Sequence, residues 1–277
     1  MGNPVGSFIW YELLTSDIDG AAAFYKAVVG WTISPQPDPD AEGMDYRMIG
    51  RDDGGMAGGA MEITQDMAMG GARPCWLPYL AVDDVDAEVH AIVAAGGRER
   101  LPAFDLPVGR IAMVADPQGV PIYLMKPVSP AGQSLSSDGQ DPDDAGAVSD
   151  VFSATENQHV RWNELASPDQ AASMAFYARH FGFTFNEKMS MGDMGDYCFI
   201  GHHGQTLGAI MQRQSEQQPA MWLFYFGVPS ITAAKSAIEA HGGTVLMGPH
   251  EVPGGDWIIV AMDPQGAGFG VVGPKGA

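Results

Sequence analysis

The sequence predicts an α+β protein built by tandem duplication, in which paired βαβββ modules each curl their strands into a trough-like sheet. Three ordered matches between the halves of the chain predict it. WYELLTSDIDGAAAFYKAVVGW (residues 10–31) aligns without a gap on WNELASPDQAASMAFYARHFGF (162–183). WLPYLAVDDVDAEVHAIVAAGG (76–97) aligns on WLFYFGVPSITAAKSAIEAHGG (222–243), and IAMVADPQGVPIYLM (111–125) on IIVAMDPQGAGFGVV (258–272). Self-similarity in the same order marks a duplicated unit. A finer repeat lies inside each half: every quarter opens on an apolar strand, then a helix, then short strands bounded by glycine.

The elements follow in order. The first strand is expected at about residues 7–14. A helix follows near 18–29: Asp17 caps it, Ala22, Ala23 and Tyr25 to Val29 carry its apolar face, and Gly30 ends it. YRMIG and MAGGAMEI read as strands around the RDDGG turn. The second quarter repeats the pattern with a strand at 75–82, a helix at 84–95 closed by Gly96-Gly97, and strands near 98–101, 109–115 and 120–126. Phe24-Tyr25 and Phe176-Tyr177 fall on the helix face that meets the sheet and are expected in the core. Asp-Pro-Gln-Gly is a turn signal, with the Asp side chain on the backbone, Pro setting φ and Gly allowing φ > 0. GGMAGGA (54–60) is glycine-rich, but Met and Ala stand where a phosphate loop needs glycine, and no helix is expected after it.

SPAGQSLSSDGQDPDDAGAVSD (129–150) has almost nothing apolar to bury and reads as an exposed linker, part of it packing across the partner half. The predicted organisation is a first domain at 6–128, a linker at 129–156 and a second domain at 157–275. One βαβββ unit leaves a sheet face uncovered, so the units must pair.

The 277 residues carry 34 acidic and 14 basic side chains, a formal net charge of −20. Phosphate binding relies on clustered Lys and Arg, so nucleic acid is excluded as a partner, and anionic membranes are repelled. No apolar run approaches the roughly 18 residues of a membrane span. MGNPVGSF lacks a basic region before an apolar block, so no secretory signal is expected. Cys75 and Cys198 lie far apart in apolar runs and read as buried small hydrophobes rather than a zinc or disulfide pair. A reducing cytoplasm is the expected compartment.

AAAFYKAVVGW and SMAFYARHFGF in the odd quarters, with VADPQGVPIYL and AMDPQGAGFGV in the even ones, resemble the vicinal oxygen chelate superfamily. That superfamily includes glyoxalases, bleomycin-resistance proteins and extradiol dioxygenases, and the resemblance covers nearly all the chain outside the linker. The Trp-x-Glu-Leu opening further resembles tandem glyoxalase-like proteins labelled as hydroxylases or secreted antigens. The resemblance implies that a metal-using trough holds one divalent ion through His or Gln on opening strands and Glu on closing strands. Counted from Phe24-Tyr25, the opening position falls on Trp10, and on Trp162 in the second half. The second opening strand offers Leu77 and Leu223, and the closing strand Tyr123 and Gly270. Indole has an N–H donor and no lone pair for a metal. The expected ligand set is therefore missing from both halves, and no cofactor is expected. The alternative is a divalent-metal-dependent enzyme of the superfamily, a glyoxalase-type lyase or isomerase, hydroxylase or dioxygenase, with its ligands in another register.

Glu12 and Glu164 stand two residues beyond those tryptophans, on the same strand face by alternation. Tyr79 and Tyr225 stand likewise beyond Leu77 and Leu223. The candidate catalytic residues are thus Glu12 and Glu164, and the candidate ligand-binding residues Trp10, Tyr79, Tyr123, Trp162 and Tyr225. A carboxylate against aromatic rings loses solvation, which raises its pKa toward values useful for proton transfer. Three readings of the glutamates stay open: a structural peg held by backbone or by Arg110, a pocket-lining acid or base, and a metal ligand. Arg110 is replaced by Asp256 in the second half, so an ion pair is not common to both repeats. Among the histidines, His202-His203 sit in the turn GHHGQ and are expected at the surface; His90, His159, His180, His241 and His250 show no metal-binding spacing. Methionines in MDYRM, MAMGG and KMSMGDMG sit in loops as gap-fillers or as an adaptable pocket mouth. The expected function is binding of a small hydrophobic or aromatic molecule, by a monomer whose halves act as an internal pseudo-dimer, or by a homodimer.

Overall fold

In the computed structural model, residues 2–39, 41, 43–128 and 148–276 are described, and the duplicated pattern folds twice within them. The first half runs β1 (Phe8–Thr15), α1 (Ile18–Val28), β2 (Thr32–Ile33), β3 (Tyr46–Gly50), β4 (Met56–Glu62), α2 (Gln65–Met69), β5 (Cys75–Ala81), α3 (Val85–Ala94), β6 (Arg98–Leu106), β7 (Gly109–Ala115) and β8 (Pro121–Pro127). The second runs β9 (Val160–Ser167), α4 (Gln170–Phe181), β10 (Lys188–Ser190), β11 (Asp196–His202), β12 (Gln205–Gln212), β13 (Met221–Gly227), α5 (Ile231–Ala240), β14 (Thr244–Glu251), β15 (Trp257–Met262) and β16 (Gly268–Gly273). Each half forms an eight-stranded sheet, ordered β2-β3-β4-β1-β5-β8-β7-β6 and β10-β11-β12-β9-β13-β16-β15-β14. β1 runs parallel to β4, β5 to β8 and β13 to β16. A parallel pair needs a crossover connection, and the module's helix lies within it. The α+β class and the paired βαβββ modules are those the repeats predict.

By packing, the chain divides into two compact units that each combine quarters from both halves. The first unit is Met1–Ile9, Pro78–Ser149 and Leu165–Met221; the second is Trp10–Leu77, Asp150–Glu164 and Trp222–Ala277. In the second unit Tyr25, Trp31, Trp76, Phe226 and Phe269 form an aromatic core, with Trp31 and Phe226 centroids 4.6 Å apart and Trp76 and Phe226 5.0 Å apart. The Phe-Tyr pairs of α1 and α4 are buried as expected, but each tyrosine does more than fill space. Tyr25 donates to Asp263 Oδ2 at 3.1 Å and accepts the Trp76 indole N–H at 2.9 Å. Asp263 Oδ1 in turn accepts the backbone N–H groups of Gln265, Gly266 and Ala267. In the first unit Tyr177 donates to Asp116 Oδ2 at 3.2 Å, while Asp116 Oδ1 accepts from Gln118 and Val120. Each Asp-Pro-Gln-Gly turn is thereby locked to the helix of the opposite repeat. Burial, outweighing these hydrogen bonds, pushes both aspartate carboxyls above their usual range.

Two expectations are corrected. A helix, α2, does follow the glycine-rich stretch, because Thr64 caps it by accepting the Met67 N–H, and GGMAGGA itself is mostly strand β4. β6 extends to Leu106, past the expected end at 101, by shifting register against β7. Residues 129–147 of the expected linker lie outside the described residues; at the end that is described, Val148 and Asp150 are exposed while the chain is also held to the fold. Ser149 Oγ donates to the Ile9 carbonyl at 2.6 Å, Arg51 holds Asp150 at 2.6 Å, and Val151 is buried. Among the described residues, no helix is long and apolar enough to cross a membrane.

Candidate functional site

The two Trp-x-Glu-Leu strands meet through their x residues. Tyr11 of β1 donates to Asn163 Oδ1 of β9 at 2.7 Å, both are fully buried, and the Tyr11 ring packs edge-on to Phe224 at 4.9 Å. Burial raises the Tyr11 hydroxyl well above its usual range. Alternation along the strands then directs Trp10 and Glu12, and Trp162 and Glu164, to the opposite face from Tyr11 and Asn163. Tyr11→Phe is expected to cost about 1–3 kcal/mol, the penalty for leaving a buried amide oxygen without its donor. Chemical denaturation checks it, and Tyr11→Phe combined with Asn163→Leu should recover part of the loss.

In the second unit, Trp10 donates its indole N–H to Tyr46 Oη at 2.8 Å. The sequence reading missed Tyr46. It sits on β3, and its ring lies over Gly59 of β4, where an added Cβ would fall 2.0 Å from the phenolic oxygen. Gly59 is the register partner of Glu12 in β1 and of Met48 in β3. Glu12 is only 2% exposed. Burial first, and then the Glu12 carboxylate, push the Tyr46 hydroxyl well up, and the same two causes push the Cys75 thiol up to about 12. Trp10, Glu12, Tyr46 and Cys75 thus form one electrostatically coupled group. The duplicated DYRMIG and DYCFIG, beside a Gly-Gly strand that admits close approach, were the signal that could have found Tyr46. Its repeat counterpart Tyr197 lies opposite Ala209's strand and packs edge-on to Phe199 at 5.8 Å instead.

Also in the second unit, Tyr225 Oη donates to Glu164 Oε1 at 3.3 Å, and Glu164 and Trp162 are half-buried. Tyr225 is the register partner of Gly270, and its ring occupies the space over that glycine, where a Cβ would fall 2.3 Å from the ring. Burial, then the Glu164 charge, raise the Tyr225 hydroxyl well above its usual range. In the first unit Tyr79 and Tyr123, opposite one another on β5 and β8, are buried and stacked at 4.2 Å with planes 13° apart. Arg110, offered as a partner for Glu12, spends its guanidinium on Asp86 and Asp105 at 2.7 and 2.9 Å.

The positions at which the family resemblance places metal ligands carry Trp10, Leu77 and Tyr123, and Trp162, Leu223 and Gly270. Indole, isobutyl and hydrogen offer no lone pair, and the Tyr123 phenol belongs to a ring stack, so this donor set does not fit a divalent ion. Among the described residues, no three His, Cys, Asp or Glu side chains group as a cation site. His202, expected at the surface, is buried: its Nε2 lies 2.8 Å from the Val5 carbonyl, and burial lowers its pKa.

Comparison with known proteins agrees with this architecture. Residues 11–125 match the glyoxalase-like domain model, and residues 158–271 match that of the glyoxalase/bleomycin resistance protein/dioxygenase superfamily. CFP32 of Mycobacterium tuberculosis, named provisionally as a glyoxylase, is 30% identical over 266 residues, 96% of this chain and 94% of that one. The anthracycline biosynthesis protein DnrV of Streptomyces peucetius is 26% identical over 278 residues, 96% of this chain and 93% of that one. Among solved structures, the 2,3-dioxygenase LapB from Pseudomonas sp. KL28 superposes with a TM-score of 0.60 at 16% identity, over 98% of this chain and 93% of that one. The Mn(II)-bound glyoxalase from Novosphingobium aromaticivorans superposes with a TM-score of 0.59 at 18% identity, over 97% and 82%. A twice-repeated βαβββ pair, two family models in tandem and a full-length relative lead to one conclusion: this chain belongs to the glyoxalase/bleomycin resistance protein/dioxygenase superfamily.

Proposed function

We propose that the chain binds a small, largely hydrophobic or aromatic molecule at its Trp-x-Glu-Leu strands, with Glu12 and Glu164 as the carboxylates that meet its polar group. The observation that carries this reading is the Trp10, Tyr46 and Glu12 group: a carboxylate 2% exposed, beside an indole and a phenol, on the strand where the family places a metal. Apolar walls with a few placed polar groups suit a small-molecule site. Glu164 with Tyr225 and Trp162 offers a more open version of the same chemistry. A relative named for anthracycline biosynthesis fits a planar aromatic ligand. A carboxylate so placed can accept a proton from a phenol or an activated C–H, which makes proton transfer the chemistry open to it. The ligand is the only partner proposed, the compartment a reducing cytoplasm, and the working form a monomer.

Titration of the protein's tryptophan fluorescence with a panel of polycyclic aromatic compounds is expected to give saturable quenching, and silence across the panel would sink the reading. Stoichiometric Fe, Ni, Zn or Mn in purified protein would overturn its metal-free part. Glu12→Gln gives a ligand-independent check. Removing the charge should bring the Cys75 thiol down from about 12, while burial still holds it above the ordinary thiol range. The pH profile of Cys75 alkylation should therefore shift to lower pH, with loss of ligand quenching if Glu12 meets the ligand.

A further inference from the structure

The side chains that share a face with Glu12 are half-open: Trp10, Tyr46, Met48 and Cys75 are all half-buried. Glu12, on the strand that lies between β4 and β5, is only 2% exposed. A carboxylate enclosed among half-open neighbours has a cover, and Tyr46 supplies one. Its phenol end lies over Gly59, the register partner of Glu12, with Oη 2.0 Å from where a Cβ would stand. The hydroxyl accepts the Trp10 indole N–H at 2.8 Å, and the Glu12 charge bears on it. Tyr46 is the first residue of β3, whose other face carries the buried Arg47 and Ile49. A change of side-chain rotamer therefore takes the ring off Glu12 on the half-open face and leaves the β3–β4 ladder in place.

The duplication supplies an internal control. In the second half Ala209 stands where Gly59 does, and its methyl group bars a ring from that place. Tyr197, the counterpart of Tyr46, packs edge-on to Phe199 instead. Glu164 is half-buried there, even though Tyr225 reaches its Oε1 at 3.3 Å. Loss of the ring over the glycine thus goes with a more open glutamate. In the first half the Tyr46 side chain has the features of a guest: an aromatic ring on a glycine floor, a hydroxyl that accepts from Trp10, and a carboxylate beside it. A free molecule with the same head could replace it contact for contact.

We propose that Tyr46 is a gate, an internal occupant of the Glu12 site, and that the ligand displacing it is a phenol whose hydroxyl accepts from Trp10 and donates to Glu12. This rests on the reading of the Trp-x-Glu-Leu strand as a ligand site and names its ligand class and its regulation. Calorimetric titration of the full chain with p-cresol, its methyl ether and p-xylene tests it. Wild type is expected to bind p-cresol saturably and the other two at least about tenfold more weakly, since neither can donate to Glu12. A ligand that waits for an open state binds with its intrinsic constant divided by the open fraction. Tyr46→Phe keeps the ring but loses the tie to Trp10, so it should tighten p-cresol several-fold; a purely structural Tyr46 predicts no gain. Tyr46→Ala removes the gate and should tighten it further, by about tenfold or more over wild type. Tyr46→Ala combined with Gly59→Ala also lacks the gate, yet puts a methyl group on the floor and should lose the binding. The wild-type titration is decisive, because a hole cut by Tyr46→Ala accepts rings of many kinds, and Tyr46→Phe tests the gate if the alanine variant fails to fold. Equal affinity for p-cresol and its methyl ether would overturn the proposal, as would unchanged or weaker binding in Tyr46→Phe, or binding that survives the double variant. No p-cresol binding to wild type, with polycyclic compounds still quenching tryptophan, overturns the phenol gate alone. Silence of both removes the ligand-site reading and the gate with it.

Discussion

Asp263→Ala is expected to destabilise the protein by about 3 kcal/mol or more, the largest single effect anticipated here. Its carboxylate accepts three backbone N–H groups and the Tyr25 hydroxyl, and Tyr25 in turn accepts from Trp76. Each buried donor left without an acceptor costs about 1–3 kcal/mol, reduced where water can reach the opened turn. Asp263→Asn keeps an acceptor on the turn and should cost about 1 kcal/mol. Urea unfolding of both variants measures the difference, and a loss below that of the asparagine variant for Asp263→Ala would contradict the locking role. The pH dependence carries a definite sign. The folded carboxyls of Asp116 and Asp263 lie above the ordinary value of 3.8, chiefly through burial. A group raised on folding contributes stability that is present below its unfolded pKa and is lost as pH rises through the folded one. Wild type should therefore gain stability relative to Asp263→Asn as pH falls from neutrality toward the unfolded value of 3.8.

Gly59→Ala is expected to cost about 1–3 kcal/mol, the usual penalty of overpacking, and to dismantle the first-half cluster. The new Cβ would stand 2.0 Å from Tyr46 Oη and 2.3 Å from its Cζ, so the ring must leave and Trp10 loses its acceptor. In a Tyr46→Ala background the same glycine change should cost almost nothing. A double-mutant cycle read by chemical denaturation therefore predicts strong coupling, and additive effects would refute the close packing of Tyr46 on Gly59. Trp10 emission should shift in Gly59→Ala and Tyr46→Ala alike. The second half has already made this change, since Ala209 occupies the position of Gly59.

The two copies of Trp-x-Glu-Leu show how far a motif reads. Its strand, the helix after it and the capping Asp17 were legible because they depend on alternation, helical period and a side chain within a few residues. The buried bond joining the copies was not legible, because Tyr11 and Asn163 are different residue types 152 positions apart. Nor was the difference between the glutamates: Glu12 is almost fully enclosed while Glu164 is half-open, although the surrounding words are alike. His202 looked like a turn residue and is buried, since the segment that covers it arrives from the N-terminus. Tyr79 and Tyr123, both expected to bind ligand, face one another as a stack, and strand register alone decides that.

The sequence by itself determined the duplication, the βαβββ order and the absence of His, Gln and Glu from six family positions, because each is a matter of residue type and local period. Only the tertiary structure decided that Tyr46 stands over Gly59, that Tyr225 covers Gly270, and that His180 meets Glu88 where the other unit brings Val28 and Ala234 together buried. Those outcomes depend on how distant strands register and how much volume facing helices fill. Neither quantity is local, and at Gly59 and Gly270 the absence of one Cβ settles the outcome.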